Sequence, residues 1–464
     1  MPRIFRHYVP YYLLALLVME GWIVFASTYA SLHVPRIGPF AIYPGPGPLV
    51  LRALVLSLLV LIMLHLWELY DRGRRVHGLR ELLLRLFLAF SGAYLLMAAL
   101  SYLAPGLSLG RKAYALSFVL SFTSVVGIRL LYRQLIQNPR SQRRLLLLGS
   151  GRPAQIIVDA VNGSHPDYKL LGSVNGLHEG VSAPVNGTKI LGAVDELGRI
   201  SRATRPDVIV VALTERRRSL PLPAVLDCKL QGIDVQDWPD FYEKLTGKIL
   251  LTDLRPSWLV FSDGFRTSQA TLRAKRAMDF LLAGLGLLLT LPLSLLVAIL
   301  IKLDSPGPML YRQERLGQGG KRFRLMKFRS MRHDAERETG PVWAGEHDPR
   351  VTRVGRILRL SRLDELPQLI SVLKGEMSLV GPRPERPAFV RELQEKIPFY
   401  VHRLAVKPGI TGWAQVKYPY GSSVEDALEK LQYDLYYIKN LTIFLDLLIL
   451  LHTLQVVLFG KGSR

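Results

Sequence analysis

Four apolar stretches of membrane-spanning length fill the first third of the chain: Val9–Leu32, Leu49–Tyr70, Leu82–Leu103 and Ala113–Leu131. Each approaches the roughly 20 residues that a helix needs to cross a hydrocarbon core. A helix satisfies its own backbone polar groups, so the pattern predicts a four-helix transmembrane bundle over residues 1–135. A simple soluble enzyme is excluded. Glu20, Arg52, Arg85 and Arg129 interrupt the stretches. The three arginines lie near segment ends, where a long side chain reaches the headgroups. Glu20 reads as a polar helix-packing residue. A signal peptide is rejected, because no small-residue cleavage site follows the first stretch and a second stretch comes soon after.

Loop charges set the orientation. Arg3 and Arg6 precede the first span, Arg72, Arg74, Arg75 and Arg80 follow the second, and Arg133, Arg140, Arg143 and Arg144 follow the fourth. The other two loops carry Arg36, and Arg111 with Lys112. The positive-inside rule therefore puts the N-terminus and everything beyond the fourth span in the cytoplasm. The single cysteine, Cys228, excludes an internal disulfide and a cysteine-based zinc site. The length of 464 residues leaves room for about three domains.

After Arg143 the pattern changes to short apolar runs alternating with helical stretches. Leu145–Leu148 and Asp207–Leu213 read as buried strands, with helices through Val161 and near Leu222–Gln231. Strand–helix alternation predicts a Rossmann-like parallel α/β domain over residues 143–250, followed by a linker at 251–272. Gly149, Gly151 and Ala154 match the G-x-G-x-x-A spacing of a dinucleotide site. No acidic residue stands ready to grip a ribose, and a tight strand–helix turn gives the same spacing.

Leu281–Ile301 is a fifth uncharged stretch, with Pro292 at its centre. The ring removes a helix hydrogen bond. Both flanks are basic, with Arg273, Lys275 and Arg276 before and Lys302, Arg312 and Arg315 after, whereas a crossing helix shows asymmetry. A re-entrant helix at about 277–303, bending at Pro292 within the membrane, satisfies both flanks. An ordinary kinked span is the alternative.

Between Arg312 and Arg362 cations crowd the chain, Arg337 among them, in keeping with a net charge of +23. Such a run serves as a solvated face, binds nucleic acid, or, more in keeping with a domain beside four spans, meets anionic headgroups or draws phosphate-bearing substrates. Within it lies Ser361-Arg362-Leu363-Asp364-Glu365-Leu366-Pro367. Ser361 and Asp364 have the spacing of a helix-capping pair. The same geometry, close to Arg359, would hold an ionised carboxylate in a fixed direction, as a nucleophile attacking phosphorus requires. Gly381-Pro382-Arg383-Pro384 is a stiff turn that pins one arginine for a bidentate phosphate contact. Trp413, in a glycine-rich turn after Lys407, either stacks on a base or fills the core.

The stretches KRAMDF (275–280), KFRSM (327–331), SRLDELPQL (361–369), SLVGPRP (378–384), KPGITGWAQV (407–416) and YDLYYIKN (433–440) resemble the bacterial polyprenyl-phosphate sugar phosphotransferases, the monotopic phosphoglycosyl transferases. The whole layout resembles their long members, which initiate capsule or exopolysaccharide synthesis. The resemblance implies a multidomain α/β membrane protein of the bacterial inner membrane. Its transmembrane bundle and Rossmann-like domain would precede a mainly helical monotopic catalytic domain at 273–464, on the cytoplasmic face. It further implies that Asp364 attacks the β-phosphate of a UDP-sugar, releases UMP and carries the phospho-sugar until undecaprenyl phosphate takes it. Glu365 would assist, Mg2+ would bridge Asp364 and the diphosphate, and Arg359, Arg383, Lys327 and Arg329 would hold phosphate. Asp434 lies in a matching stretch with no role assigned. Some family members have Ser-Pro at the bend, where Leu291 precedes Pro292 here and Thr290 offers the nearest hydroxyl. Leu441–Leu458 reads as a surface helix, with Thr442, Asp446 and Thr453 on one polar face.

Family membership favours glucose as the sugar, with galactose next. Inner-membrane lipids are expected partners and nucleic acid is not; a homo-oligomer and the ligand of the middle domain are left open. The competing class is a non-catalytic scaffold or regulator with a nucleotide-sensing middle domain, against which the Asp364-Glu365 pair with Arg383 argues.

Overall fold

The first apolar stretches become α1 (Tyr11–His33), α2 (Leu49–Leu66), α3 (Leu79–Leu103) and α4 (Arg111–Ile136) in a computed structural model of the chain. The structure describes residues 3–4, 7–8, 11–33, 48–70, 78–136, 142–164, 167–175, 188–214, 220–251, 258, 261–332, 348–418, 421 and 423–459. The loop cations Arg6, Arg36, Arg72, Arg74, Arg75, Arg140 and Arg337 lie outside the described residues, as does part of the expected linker. The chain divides into two units, chiefly Tyr8–Thr246 and Gly247–Arg464.

In the first unit α1 packs on α2 and α4, and α3 packs on the same two helices. Leu56, Val60, Leu64, Leu86, Phe90 and Met97 fill the space between them. Val18, Trp22, Leu58 and Leu95 point outward, more than half exposed, on a surface that lipid solvates and water does not. These helices and one in the second unit are long and apolar enough to cross a membrane.

Two of the three arginines depart from the headgroup position expected of them. Arg129 is buried, with Nε 2.5 Å and Nη2 2.9 Å from the Glu20 carboxylate, and it donates to the Leu69 carbonyl at 3.0 Å. Tyr70 donates to the same carboxylate at 2.5 Å. Burial is tolerated because each charge has its partner, and Glu20 is the packing residue that holds three segments together. Arg52 is likewise fully buried, its Nε donating to the Gly106 carbonyl at 2.9 Å. Arg85 stays near the surface, 2.6 Å from Glu81.

Alternating strands and helices follow: β1 (Arg143–Leu148), α5 (Arg152–Ser164), β2 (Tyr168–Asn175), β3 (Ile190–Ala193), α6 (Leu197–Thr204), β4 (Val208–Val211), α7 (Leu222–Leu230), β5 (Asp234–Asp237) and α8 (Trp238–Thr246). All strands are parallel, in the order β3-β2-β1-β4-β5, which reverses between β1 and β4 as in doubly wound sheets. Leu145–Leu148 and Val208–Val210 are fully buried, as central strands covered on both faces require. Gly149 has φ +122°, and a Cβ there would sit 2.4 Å from the Ala212 carbonyl oxygen, so close packing alone demands this glycine. Asn175 ends the second strand, where a ribose-binding acid would stand, and its side chain is hydrogen-bonded to Ser150.

The second unit is built on α9 (Gln269–Asp304), about 54 Å long at 1.5 Å per residue. Ser268 caps it by accepting from the Thr271 N–H at 3.1 Å. The helix runs through Pro292 without a loop. Thr290 donates to the Gly286 carbonyl at 2.7 Å, not to Leu288, whose carbonyl loses its donor to the proline. After α9 come the antiparallel pair β6 (Leu310–Leu316) and β7 (Arg322–Phe328), then α10 (Arg353–Leu360), α11 (Gln368–Lys374), β8 (Ser378–Val380) and α12 (Pro387–Lys396). β9 (Gly409–Thr411), parallel to β8, leads to α13 (Trp413–Lys417), α14 (Val424–Lys439) and α15 (Ile443–Phe459).

The charged residues at the start of α9 fasten it to this body. Lys275 Nζ is 2.7 Å from Asp446 and 3.0 Å from the Val380 carbonyl, Arg276 donates to the Val372 and Leu373 carbonyls that end α11, and Asp279 accepts from the Leu379 N–H at 3.0 Å. The polar side of α15 is therefore reversed from expectation. Asp446 is buried against Lys275 and Tyr437, and Thr453 meets Thr411 at 2.6 Å, while Leu447, Leu454 and Val457 face outward. Polar groups inside and apolar groups outside suit a helix bathed in lipid.

Candidate active site

Asp364 is presented by a sharp change of direction after α10. Thr352 caps that helix by accepting from the Gly355 N–H at 3.0 Å, and Gly355 lies so close to the Ser330 carbonyl that a Cβ would be 2.0 Å from its oxygen. Arg359 Nε donates to Ser330 Oγ at 3.0 Å and completes the seat. Ser361 is not the N-cap that its spacing with Asp364 predicts. It ends α10 in helical conformation and donates back to the Ile357 carbonyl at 2.8 Å. Arg362 then takes φ +56°, a left-handed conformation that costs a non-glycine residue about 1–2 kcal/mol. The chain turns there into a short 3-10 segment, Leu363–Glu365, which leads through Pro367 into α11.

The two adjacent carboxylates differ in surroundings. Glu365 lies 2.8 Å from Lys327 Nζ and 3.3 Å from Arg383 Nη2. Burial pushes its carboxyl up, but Lys327 and Arg383 outweigh burial and hold it at about 2. Asp364 is also buried, and burial holds its carboxyl above the ordinary carboxylate range, with Lys327, Arg359 and Arg383 pulling down and Glu365 pushing up. Among the described residues none donates a hydrogen bond to it. One acid is thus neutralised by fixed cations, and the other keeps its lone pairs for a reactant.

Arg383 is held by a close-packed pair of loops. Gly381 and Gly409 press backbone on backbone, Gly381 N–H donating to the Thr411 carbonyl and Gly409 N–H to the Pro382 carbonyl, each at 2.9 Å. A Cβ on Gly409 would come 2.1 Å from the Gly381 nitrogen. Gly409→Ala is accordingly expected to destabilise the fold by about 1–3 kcal/mol or more, read as a lowered thermal unfolding midpoint. Arg383 Nη1 donates to Gln415 Oε1 at 3.0 Å, and its carbonyl accepts from Arg403 Nη2 at 3.1 Å. Arg403 is buried with Asp434, 2.8 Å away, and also donates to the Tyr400 hydroxyl at 2.9 Å.

Of the residues that the sequence nominates, Asp364, Glu365, Lys327, Arg359 and Arg383 come together. Arg329 does not join them. It donates to the carbonyls of Ser305 and Pro306 at 2.7 and 2.9 Å and ties down the chain leaving α9. Trp413 belongs to the core, stacked on Tyr436 with its indole N–H 2.8 Å from the Gly247 carbonyl, so the base-stacking role falls away. Sequence reasoning missed Gln415 and Arg403, and left Asp434 without a role. Asp434 carried a signal, a charge within an apolar helical stretch; Gln415 lies in the matching stretch 407–416 but has no charge to single it out.

No cluster of three or more His, Cys, Asp or Glu exists among the described residues. A cation here would take Asp364 together with oxygens of a bound phosphate. That suits magnesium, which keeps waters and binds one or two carboxylates beside substrate phosphates.

Comparison with known proteins follows the same outline. The family model described as bacterial sugar transferase matches residues 270–460. The chain is 30% identical, over 100% of its own length and 97% of the relative's, to the UDP-glucose:undecaprenyl-phosphate glucose-1-phosphate transferase of Xanthomonas campestris pv. campestris. It is 44% identical to the UDP-N-acetylgalactosamine-undecaprenyl-phosphate N-acetylgalactosaminephosphotransferase of Aeromonas hydrophila, over 51% of this chain and about half (55%) of that relative. A third relative, the exopolysaccharide production protein PSS of Rhizobium leguminosarum bv. phaseoli, is 43% identical over 40% of this chain and 97% of its own length.

Proposed function

This chain belongs to the bacterial sugar transferase family, and from that premise we propose that it moves a hexose-1-phosphate from a UDP-sugar to undecaprenyl phosphate, with release of UMP. Glucose is the favoured sugar, because the relative matched end to end is named for UDP-glucose. The reaction opens exopolysaccharide or capsule assembly at the bacterial inner membrane, with the second unit on the cytoplasmic side where nucleotide sugars are found.

The observation that carries this reading is the asymmetry of the two acids. An Asp364 oxygen attacks the β-phosphorus, and the bond from that phosphorus to the bridging oxygen breaks, so UMP leaves with the electron pair. The phospho-sugar stays on Asp364 as an acyl phosphate. An oxygen of undecaprenyl phosphate then attacks the same phosphorus, and the Asp364 carboxylate leaves. Arg383 and Arg359 hold the phosphate oxygens, while Lys327 keeps Glu365 ionised and directed. Mg2+, held by Asp364 and the diphosphate, would supply further neutralisation of phosphoryl charge. With α9 dipping into one leaflet and bending at Pro292, this machinery sits at the depth of the lipid phosphate.

The direct test supplies purified protein with undecaprenyl phosphate, Mg2+ and a panel of UDP-sugars and follows UMP. UDP-glucose is expected to be the best donor, and absence of UMP from every donor would refute the proposed activity. A pH series adds a second check. Asp364 must be ionised to attack, so activity falls about tenfold per unit as pH drops through its raised pKa. Glu365→Gln removes a negative neighbour that raises that pKa, so the acid limb is expected to move to lower pH. A limb that stays in place would mean that another group titrates there.

A further inference from the structure

We infer that Gln415 is a positioning residue that fixes the guanidinium of Arg383 for the donor's diphosphate; this rests on the phosphate-holding role given to Arg383 above. Arg383 is a long side chain, 37% exposed, with its Nη2 3.3 Å from Glu365. Left to itself, such a side chain samples several rotamers. Its backbone is fixed by Arg403, but that contact does not reach the fork. Gln415 gives the fork a hydrogen bond of ordinary length, Nη1 to Oε1 at 3.0 Å.

Gln415 is suited to this work because its own amide is oriented. Its Nε2 donates to the Ile410 carbonyl at 3.3 Å, which turns Oε1 toward Arg383. The residue stands on α13, which Trp413 anchors to the core. Just before α13, Gly412 presses against the Gly381 turn so tightly that a Cβ would be 2.2 Å from the Gly381 carbonyl oxygen. Donor-binding turn and clamp are therefore one rigid piece. A neutral amide is also the right chemistry, since it accepts from a guanidinium without adding a negative charge that would repel a diphosphate. Arg383 has five N–H donors. Glu365 and Gln415 engage two of its nitrogens.

A double-mutant cycle tests this with Gln415→Met, which keeps the length and removes the acceptor, and Arg383→Lys, which removes the fork. Gln415→Met is expected to lower kcat/KM for the UDP-sugar by about 10-fold in the wild-type background and by less than about 2-fold in the Arg383→Lys background. Multiplying losses would overturn the inference, because Gln415 would then act independently of Arg383. Unchanged activity in Gln415→Met would overturn it equally. Gln415→Ala is read beside it, without the bulk of methionine. If both variants lose activity only in step with folded protein, the role is structural and the inference fails. A wild-type protein that released no UMP would instead refute the proposed function itself.

Discussion

Asp364→Asn is expected to reduce UMP release from a UDP-sugar by about 10^4-fold or more while the folded protein persists. Asparagine matches aspartate in shape, yet its amide oxygen cannot form an acyl phosphate, so the proposed first step would be lost. The effect on stability runs the other way. Burial raises the Asp364 pKa, so folding disfavours the ionised form; stability from the raised pKa is present at low pH and lost as pH rises through the folded pKa. At neutral pH the native aspartate is therefore a burden, and the neutral variant should unfold at the same temperature or a higher one. Loss of activity without loss of stability marks a residue retained for chemistry. Thermal unfolding beside the UMP assay checks both halves, and a variant that turns over normally would remove Asp364 from the mechanism.

The second large effect concerns the support beneath Arg383. Arg403→Met is expected to cost about 3–5 kcal/mol, because it leaves the Asp434 carboxylate buried without its cation. Burial raises the Asp434 carboxyl and Arg403 brings it down. Without Arg403 that pKa would rise further, so the variant should lose stability as pH rises through it, measured as chemical-denaturation midpoints across a pH series. Replacing both partners by apolar residues should recover much of the loss in stability but not the activity, since the hydrogen bond to the Arg383 carbonyl would still be missing. An Arg403→Met protein as stable as wild type would show that water or rearrangement relieves Asp434.

What could be read from the chain divides along the range of the interaction. Spanning helices follow from local length and hydropathy, and the apolar runs at Leu145–Leu148 and Val208–Val211 announce central strands. Asp364, Glu365 and Arg383 stood out because their turns bear charge in a distinctive local pattern. Glu20 and Arg129, by contrast, are 109 residues apart, and nothing local tells a headgroup arginine from one that crosses the bundle to an acid. Ser361 was misread because a serine hydroxyl serves either end of a helix, and the left-handed turn at Arg362 decides which. Arg329 sits in a run of cations where all look alike; the carbonyls of Ser305 and Pro306 single it out, and only the fold brings them near. The inward side of α15 was equally hidden, because a polar stripe says which residues share a side and not what that side meets.

Asp364 is proposed to carry the phospho-sugar between donor and lipid. The most direct measurement incubates the protein with a UDP-sugar and Mg2+ in the absence of undecaprenyl phosphate, quenches with acid and weighs the proteolytic peptides. One peptide, the one containing Asp364, is expected to be heavier by a hexose phosphate, and to be discharged when undecaprenyl phosphate is added before the quench. Active enzyme with no such adduct, releasing UMP only when the lipid is present, would contradict it and favour direct transfer between the two substrates.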